Sequence, residues 1–236
     1  MVDVACPALS LWKRRSLSMS FRVLVCGLIA LTSAGLAAAQ SQRPEDLARG
    51  KMLVAPREAR DPLFAQTVVL LVRYDASGAV GLVLNRPTDI AISRALRGIP
   101  GAAKHSDTVY VGGPVELDTV MAVARSAHKP EGAEDVFGGI YLVAAKSALE
   151  KALGEPANPG GLRVYLGYCG WGPRQLDNEM RLKGWYVFDR SESLAFDTAP
   201  ATLWSRLVGK TETQIVQLLQ FAEPYAYAQR TRSRLY

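Results

Sequence analysis

The stretch from Thr67 to Tyr74, TVVLLVRY, limits the folds open to this chain more than any other. It is apolar and β-branched, and too short for a core helix, so it reads as a buried strand. Asp75, Ala76, Ser77 and Gly78 form a turn, and a second apolar run follows from Ala79 to Leu84. Two such runs joined by a short turn are a β-hairpin. A hairpin this early argues against an all-parallel, doubly wound sheet, in which neighbouring strands need long crossovers.

Further short strands are expected at Met52–Val54, Val109–Val111, Val120–Ala124, Ile140–Val143, Arg163–Leu166 and Trp185–Phe188. Pro87 is expected to close the strand that ends at Leu84. Helices are expected at Asp89–Leu96, Ser147–Leu153 with Gly154 as C-cap, Pro173–Leu182 with proline at its first position, Pro200–Val208 and Thr213–Phe221. The irregular alternation predicts an α/β protein of the α+β type with a mixed, mostly antiparallel sheet. At 236 residues, 49% of them hydrophobic, the chain can bury one sizeable core.

The first 39 residues read as a signal peptide. Lys13, Arg14, Arg15 and Arg22 are a positive lead, Val23 to Ala38 carries no charge, and Ala37–Ala39 offers small residues for cleavage before Gln40. The uncharged run is close to the lower limit of about 17 residues for a membrane span. An uncleaved inner-membrane anchor is the alternative, as is a start at Met19. Residues 40–49 read as a flexible lead-in, 50–208 as the domain, and 209–236 as a tail with helical character. The expected location is the periplasm, with a cytoplasmic protein as a further alternative.

This division decides what charge and cysteine mean. Four of the 28 basic and one of the 22 acidic residues precede Gln40, leaving 24 against 21 and a net charge of +3. That balance does not supply the field of a nucleic-acid binder. Cys6 and Cys26 also precede Gln40, so the rest of the chain holds Cys169 alone and no internal disulfide.

Four segments carry unusual local chemistry: Arg60-Asp61-Pro62-Leu63-Phe64-Ala65; Gly81 to Thr88, GLVLNRPT; Val111-Gly112-Gly113-Pro114-Val115; and Gly167 to Leu176, GYCGWGPRQL, with Glu179 one turn on. In this order and spacing they resemble the AlgH/YqgE family of bacterial proteins, over roughly Gly50 to Val208. The resemblance implies a compact fold with a curled, barrel-like sheet flanked by helices, and no established biochemical activity. Four features depart from the family pattern: the signal-like segment, Cys169 where alanine is frequent, Arg174 where glycine is usual, and the tail after Val208.

Each motif has a structural and a functional reading. Gly112 and Gly113 read as a tight turn, or as a place where a ligand approaches the backbone. Asn85 satisfies neighbouring backbone, and Arg86 pairs with a rim acid such as Asp61 or anchors an anion. Trp171 packs in the core or meets a partner, and Gln175 lies on the helix that follows. Cys169 is a small apolar filler, or a nucleophile made acidic by a helix start, with Asp61, Arg86 and Tyr168 as assistants. His105 and His128 have no sequence link to it. No metal-ligand spacing, GxSxG elbow or phosphate loop occurs, so no metal or cofactor is expected.

The leading functional expectation is a non-enzymatic binding or interaction protein of the cell envelope. Its partner would be another protein or a small anionic ligand. The alternatives are an enzyme centred on Cys169 and a transcriptional regulator, the label attached to the family. Membrane contact is expected only through an uncleaved signal segment.

Overall fold

The computed structural model describes residues 43–59, 61–155 and 160–232, with side chains as far as 216. All of them belong to one compact unit, residues 40–236. The proposed signal segment lies outside the described residues.

Ten strands build the sheet: β1 (Met52–Val54), β2 (Val68–Asp75), β3 (Gly78–Val83), β4 (Pro87–Ala91), β5 (Thr108–Val111), β6 (Val115–Arg125), β7 (Glu134–Phe137), β8 (Ile140–Val143), β9 (Leu162–Trp171) and β10 (Tyr186–Phe188). Among the described residues five α-helices accompany them: α1 (Ile92–Ala95), α2 (Lys146–Gly154), α3 (Gln175–Arg181), α4 (Glu192–Ala195) and α5 (Pro200–Arg232). The strand order is β10-β1-β2-β3-β9-β6-β8-β7, with β4 and β5 as a side pair. Every pairing is antiparallel except β5 with β9. This is the expected α+β architecture, with the sheet curled into a half-barrel flanked by helices.

Alternation along the strands makes the curl. Met52, Val54, Leu70, Leu82, Val123 and Leu142 share one cluster with α4 and the start of α5 (Phe196, Leu203, Trp204, Leu207). That single cluster drawn from both halves of the sheet marks the concave side. The residues between them face outward into two separate clusters. Leu53, Val69 and Val83 meet α3, and Val109, Ala122 and Val164 meet α1 and α2.

Strand β9 is the branch point. It pairs with β6, with β5 and, over Cys169–Trp171, with β3. Gly167, at φ +69°, lies in the irregular part of the β6 pairing and shifts the phase of β9. Tyr165 and Tyr168 therefore both face inward, while Cys169 and Trp171 face outward.

Several expected boundaries move. Asp89–Leu96 is not one helix: Pro87 opens β4 instead of closing a strand, and only Ile92–Ala95 is helical. A proline is tolerated as the first residue of a strand. Helix α3 starts at Gln175 with Arg174 as a left-handed N-cap, so Pro173 is not its first residue. Cys169 consequently stands inside a strand and not at a helix start. Gly154 closes the last turn of α2, and Glu155 is the cap. The two expected C-terminal helices are one continuous element. Its packed part passes residue 208: Thr211 is buried and Glu212 pairs with Arg57. Before β1, Pro44–Asp46 form a 3-10 turn and Leu47 is buried. Among the described residues, no helix is long and apolar enough to cross a membrane.

Candidate functional site

The four motif segments meet around β3 and the second half of β9. The first is a loop that the second pins down. Asp61 Oδ1 accepts from the Leu63 amide at 2.8 Å, a local turn typical of aspartate. Asn85 closes the other end of the loop: its Oδ1 accepts from Val68 N and its Nδ2 donates to Gln66 O, both at 2.8 Å. Arg86 Nη2 reaches Ala65 O at 3.4 Å. The expected Arg86–Asp61 pair is not among the described ion pairs, because Asp61 is turned toward its own backbone.

The glycines of the third segment serve close packing and not positive φ. Neither Gly112 nor Gly113 has a left-handed backbone. A Cβ on Gly112 would lie 2.3 Å from Gly167 O, and one on Gly113 2.2 Å from the Tyr168 carbonyl carbon. Gly112 O accepts from Val83 N at 2.8 Å, and its N donates to Leu166 O at 2.8 Å. These two glycines let three backbones meet at one seam.

Cys169 sits against that seam, fully buried, with Sγ 3.5 Å from Gly112 O. Burial pushes its thiol up to about 12, and the charge of Arg86 offsets this only in part. A thiol in that state is neutral at neutral pH and is not an activated nucleophile. Neither histidine approaches it: His105 is buried against Leu153 O at 3.1 Å, and His128 is exposed. Tyr168 faces the opposite side of β9, with Glu116 beside it; partial burial and that carboxylate raise its phenol.

On the outer face, Trp171 belongs to an aromatic group that sequence alone did not assemble. Its ring stacks on Phe64 at 5.9 Å, and Trp185 meets both edge-on at 5.5 and 6.2 Å. Glu179 Oε2 accepts from Trp171 Nε1 at 3.1 Å and Trp185 Nε1 at 2.9 Å. Gln175 links this carboxylate to the Gly172 amide. Glu179 was visible in the motif as one turn beyond Gln175; its role needed Trp185, which the motif does not contain. Of the candidates, Asn85, Gly112, Gly113, Cys169 and Trp171 are thus engaged internally. Asp61 and Gln175 are exposed, and Arg86 is half-buried. Among the described residues, no group of histidine, cysteine and carboxylate side chains could hold a metal ion.

A family model described as AlgH-like matches residues 52–216. A UPF0301 protein of Streptomyces avermitilis is 34% identical over 183 residues, spanning 74% of this chain and 92% of the relative. One from Chlorobium limicola is 31% identical over 165 residues, spanning 70% and 87%. The solution structure of the AlgH protein from Pseudomonas aeruginosa superposes with a TM-score of 0.54 at 26% identity, covering 67% of this chain and 86% of that one. The crystal structure of protein DIP2367 from Corynebacterium diphtheriae gives 0.58 at 20% identity, covering 69% and 86%, a likeness of fold.

Proposed function

This chain belongs to the AlgH-like family, for which no activity is established, and on that premise we propose that it is a non-enzymatic binding protein of the cell envelope. It engages an anionic group, on a protein partner or a small ligand, at the face presented by Arg86. The observation that carries this reading is the state of Arg86. Its half-buried guanidinium has one long contact, to Ala65 O at 3.4 Å, and no carboxylate partner among the described residues. The polar groups around it are committed to one another, so this fork is the one left to receive a carboxylate or phosphate. The buried, neutral Cys169 supports binding over thiol chemistry.

Two measurements test the reading. Arg86→Gln at unchanged melting temperature should lose the ligand or cross-linked partner that the wild-type protein retains. A variant that keeps both fold and partner counts against the site. The intact mass of the protein from fractionated cells tests the compartment. A mass beginning at Gln40 in the periplasmic fraction agrees with export, and a full-length mass in the cytoplasm removes the envelope from the proposal.

A further inference from the structure

Away from the motif face, the concave side of the half-barrel holds a buried phenol whose O–H proton is left without an acceptor among the described residues. That phenol is Tyr165, which is fully buried. Such a group is costly when nothing pairs with it, and buried hydroxyls are ordinarily matched. Tyr110 stands opposite it in the β5–β9 register, with ring centroids 5.5 Å apart.

Arg163 completes the cluster from β9, two residues before Tyr165 and so on the same side of the strand. Its guanidinium lies 5.1 Å from the Tyr110 ring and 5.4 Å from the Phe196 ring. It donates to two backbone carbonyls, of Ala195 at 3.2 Å and of Asp197, and its side chain also reaches the Tyr165 hydroxyl, so part of its five donors remains for a ligand. Carboxylates are near, but they are taken. Asp197 is paired with Arg206 at 2.7 Å and accepts from Ala199 N, and Glu192 is paired with Arg125 at 3.1 Å. Arg125 also covers the Phe196 ring at 5.0 Å. Three guanidinium groups thus share two carboxylates, and the cluster keeps one net positive charge.

We propose that Tyr165, Tyr110 and Arg163 form a binding site for a small oxyanion, a carboxylate or a phosphate, inside the half-barrel. Phenol and guanidinium are both donors toward an anion, and a buried oxyanion needs both charge and several donors. Burial raises the Tyr165 phenol, which keeps its proton available for donation. None of these residues belongs to the Arg86 face, so the two proposals stand or fall separately.

The test compares the full chain with Tyr165→Phe and Tyr110→Phe, which keep the rings. Melting temperature is followed with inorganic phosphate and with acetate, each against chloride at equal ionic strength. Tyrosine-ring NMR shifts give affinity. The expected result is an anion-dependent stabilisation of the wild type that is lost in Tyr165→Phe, with affinity at least tenfold weaker. Response to one anion and not the other identifies which oxyanion class is held. The proposal is overturned by equal stabilisation of wild type and Tyr165→Phe. It is equally overturned if the wild type does not respond and Tyr165→Phe is simply more stable, because the hydroxyl then meets buried water only.

Discussion

Arg73 on β2 and Glu134 on β7 form a two-pronged ion pair, with Arg73 Nε donating to Glu134 Oε2 at 2.8 Å and Nη2 to Oε1. These strands lie toward opposite ends of the sheet order, so the pair spans the gap of the half-barrel. Around Gly50, which precedes β1, Phe137 of β7 and Arg190 beyond β10 also converge. Side chains, and no described hydrogen-bond ladder, join the two edges.

Glu134→Gln should therefore destabilise the domain modestly, by about 0.5–1 kcal/mol, because both side chains are more than a third exposed. The hydrogen bond from Arg73 is the largest cause lowering the Glu134 carboxyl. Its contribution is then fully present above the unfolded glutamate value, about 4.3, and is lost as pH falls through the lower folded value. Urea titrations should give a difference between wild type and variant that is constant from pH 7 to 5.5, fades in acid, and shrinks in high salt. A difference that grows on acidification would contradict the pairing.

The glycine seam makes a sharper prediction. A methyl group on Gly113 would lie within 2.4 Å of the Tyr168 carbonyl and the Cys169 amide nitrogen, all backbone atoms that cannot swing aside. Gly113→Ala should cost about 3 kcal/mol or more. Gly154, at the end of α2, has nothing within 4 Å of a new Cβ and no left-handed backbone. Gly154→Ala should be neutral or stabilising by up to about 0.5–1 kcal/mol. Equal effects at the two positions in thermal unfolding would refute the close-approach explanation.

The contrast between these glycines bears on how far sequence could be read. The hairpin, most strands and the family were legible because apolar runs and motif order are local properties. The curl of the sheet came with the family. The face each residue occupies was not legible, because the phase shift at Gly167 reverses the alternation within β9. It sends Tyr168 inward and Cys169 outward, and no count along the strand reveals it. Asn85 was legible as a backbone partner from its place at a strand end. Without Trp185 the shared-acceptor role of Glu179 had no signal, and Phe64 and Trp185 could not be joined to Trp171, since they come from separate segments that only the fold brings together. The same holds for Tyr110, Arg163 and Phe196.

Cys169 should resist thiol reagents in the folded protein. With its thiol held up to about 12, the thiolate fraction near pH 8 is on the order of one in ten thousand. Labelling should follow global unfolding, becoming complete in denaturant and negligible without it. Rapid labelling of native protein would return the thiol-centred enzyme to consideration.

Glu179 is the residue whose loss should be felt most on the outer face. Trp171 and Trp185 are 4% and 3% exposed, so their indole N–H groups have little access to solvent and share one carboxylate oxygen. Glu179→Ala strands two buried donors, each costing about 1–3 kcal/mol. It also frees Gln175, which reaches the Gly172 amide from the same network. Glu179→Gln keeps an oxygen that accepts from both indoles and should cost much less. Denaturant unfolding ranks the two variants, and tryptophan fluorescence should change in Glu179→Ala and stay near wild type in Glu179→Gln. If both variants lose stability equally, charge and not indole hydrogen bonding is what Glu179 supplies.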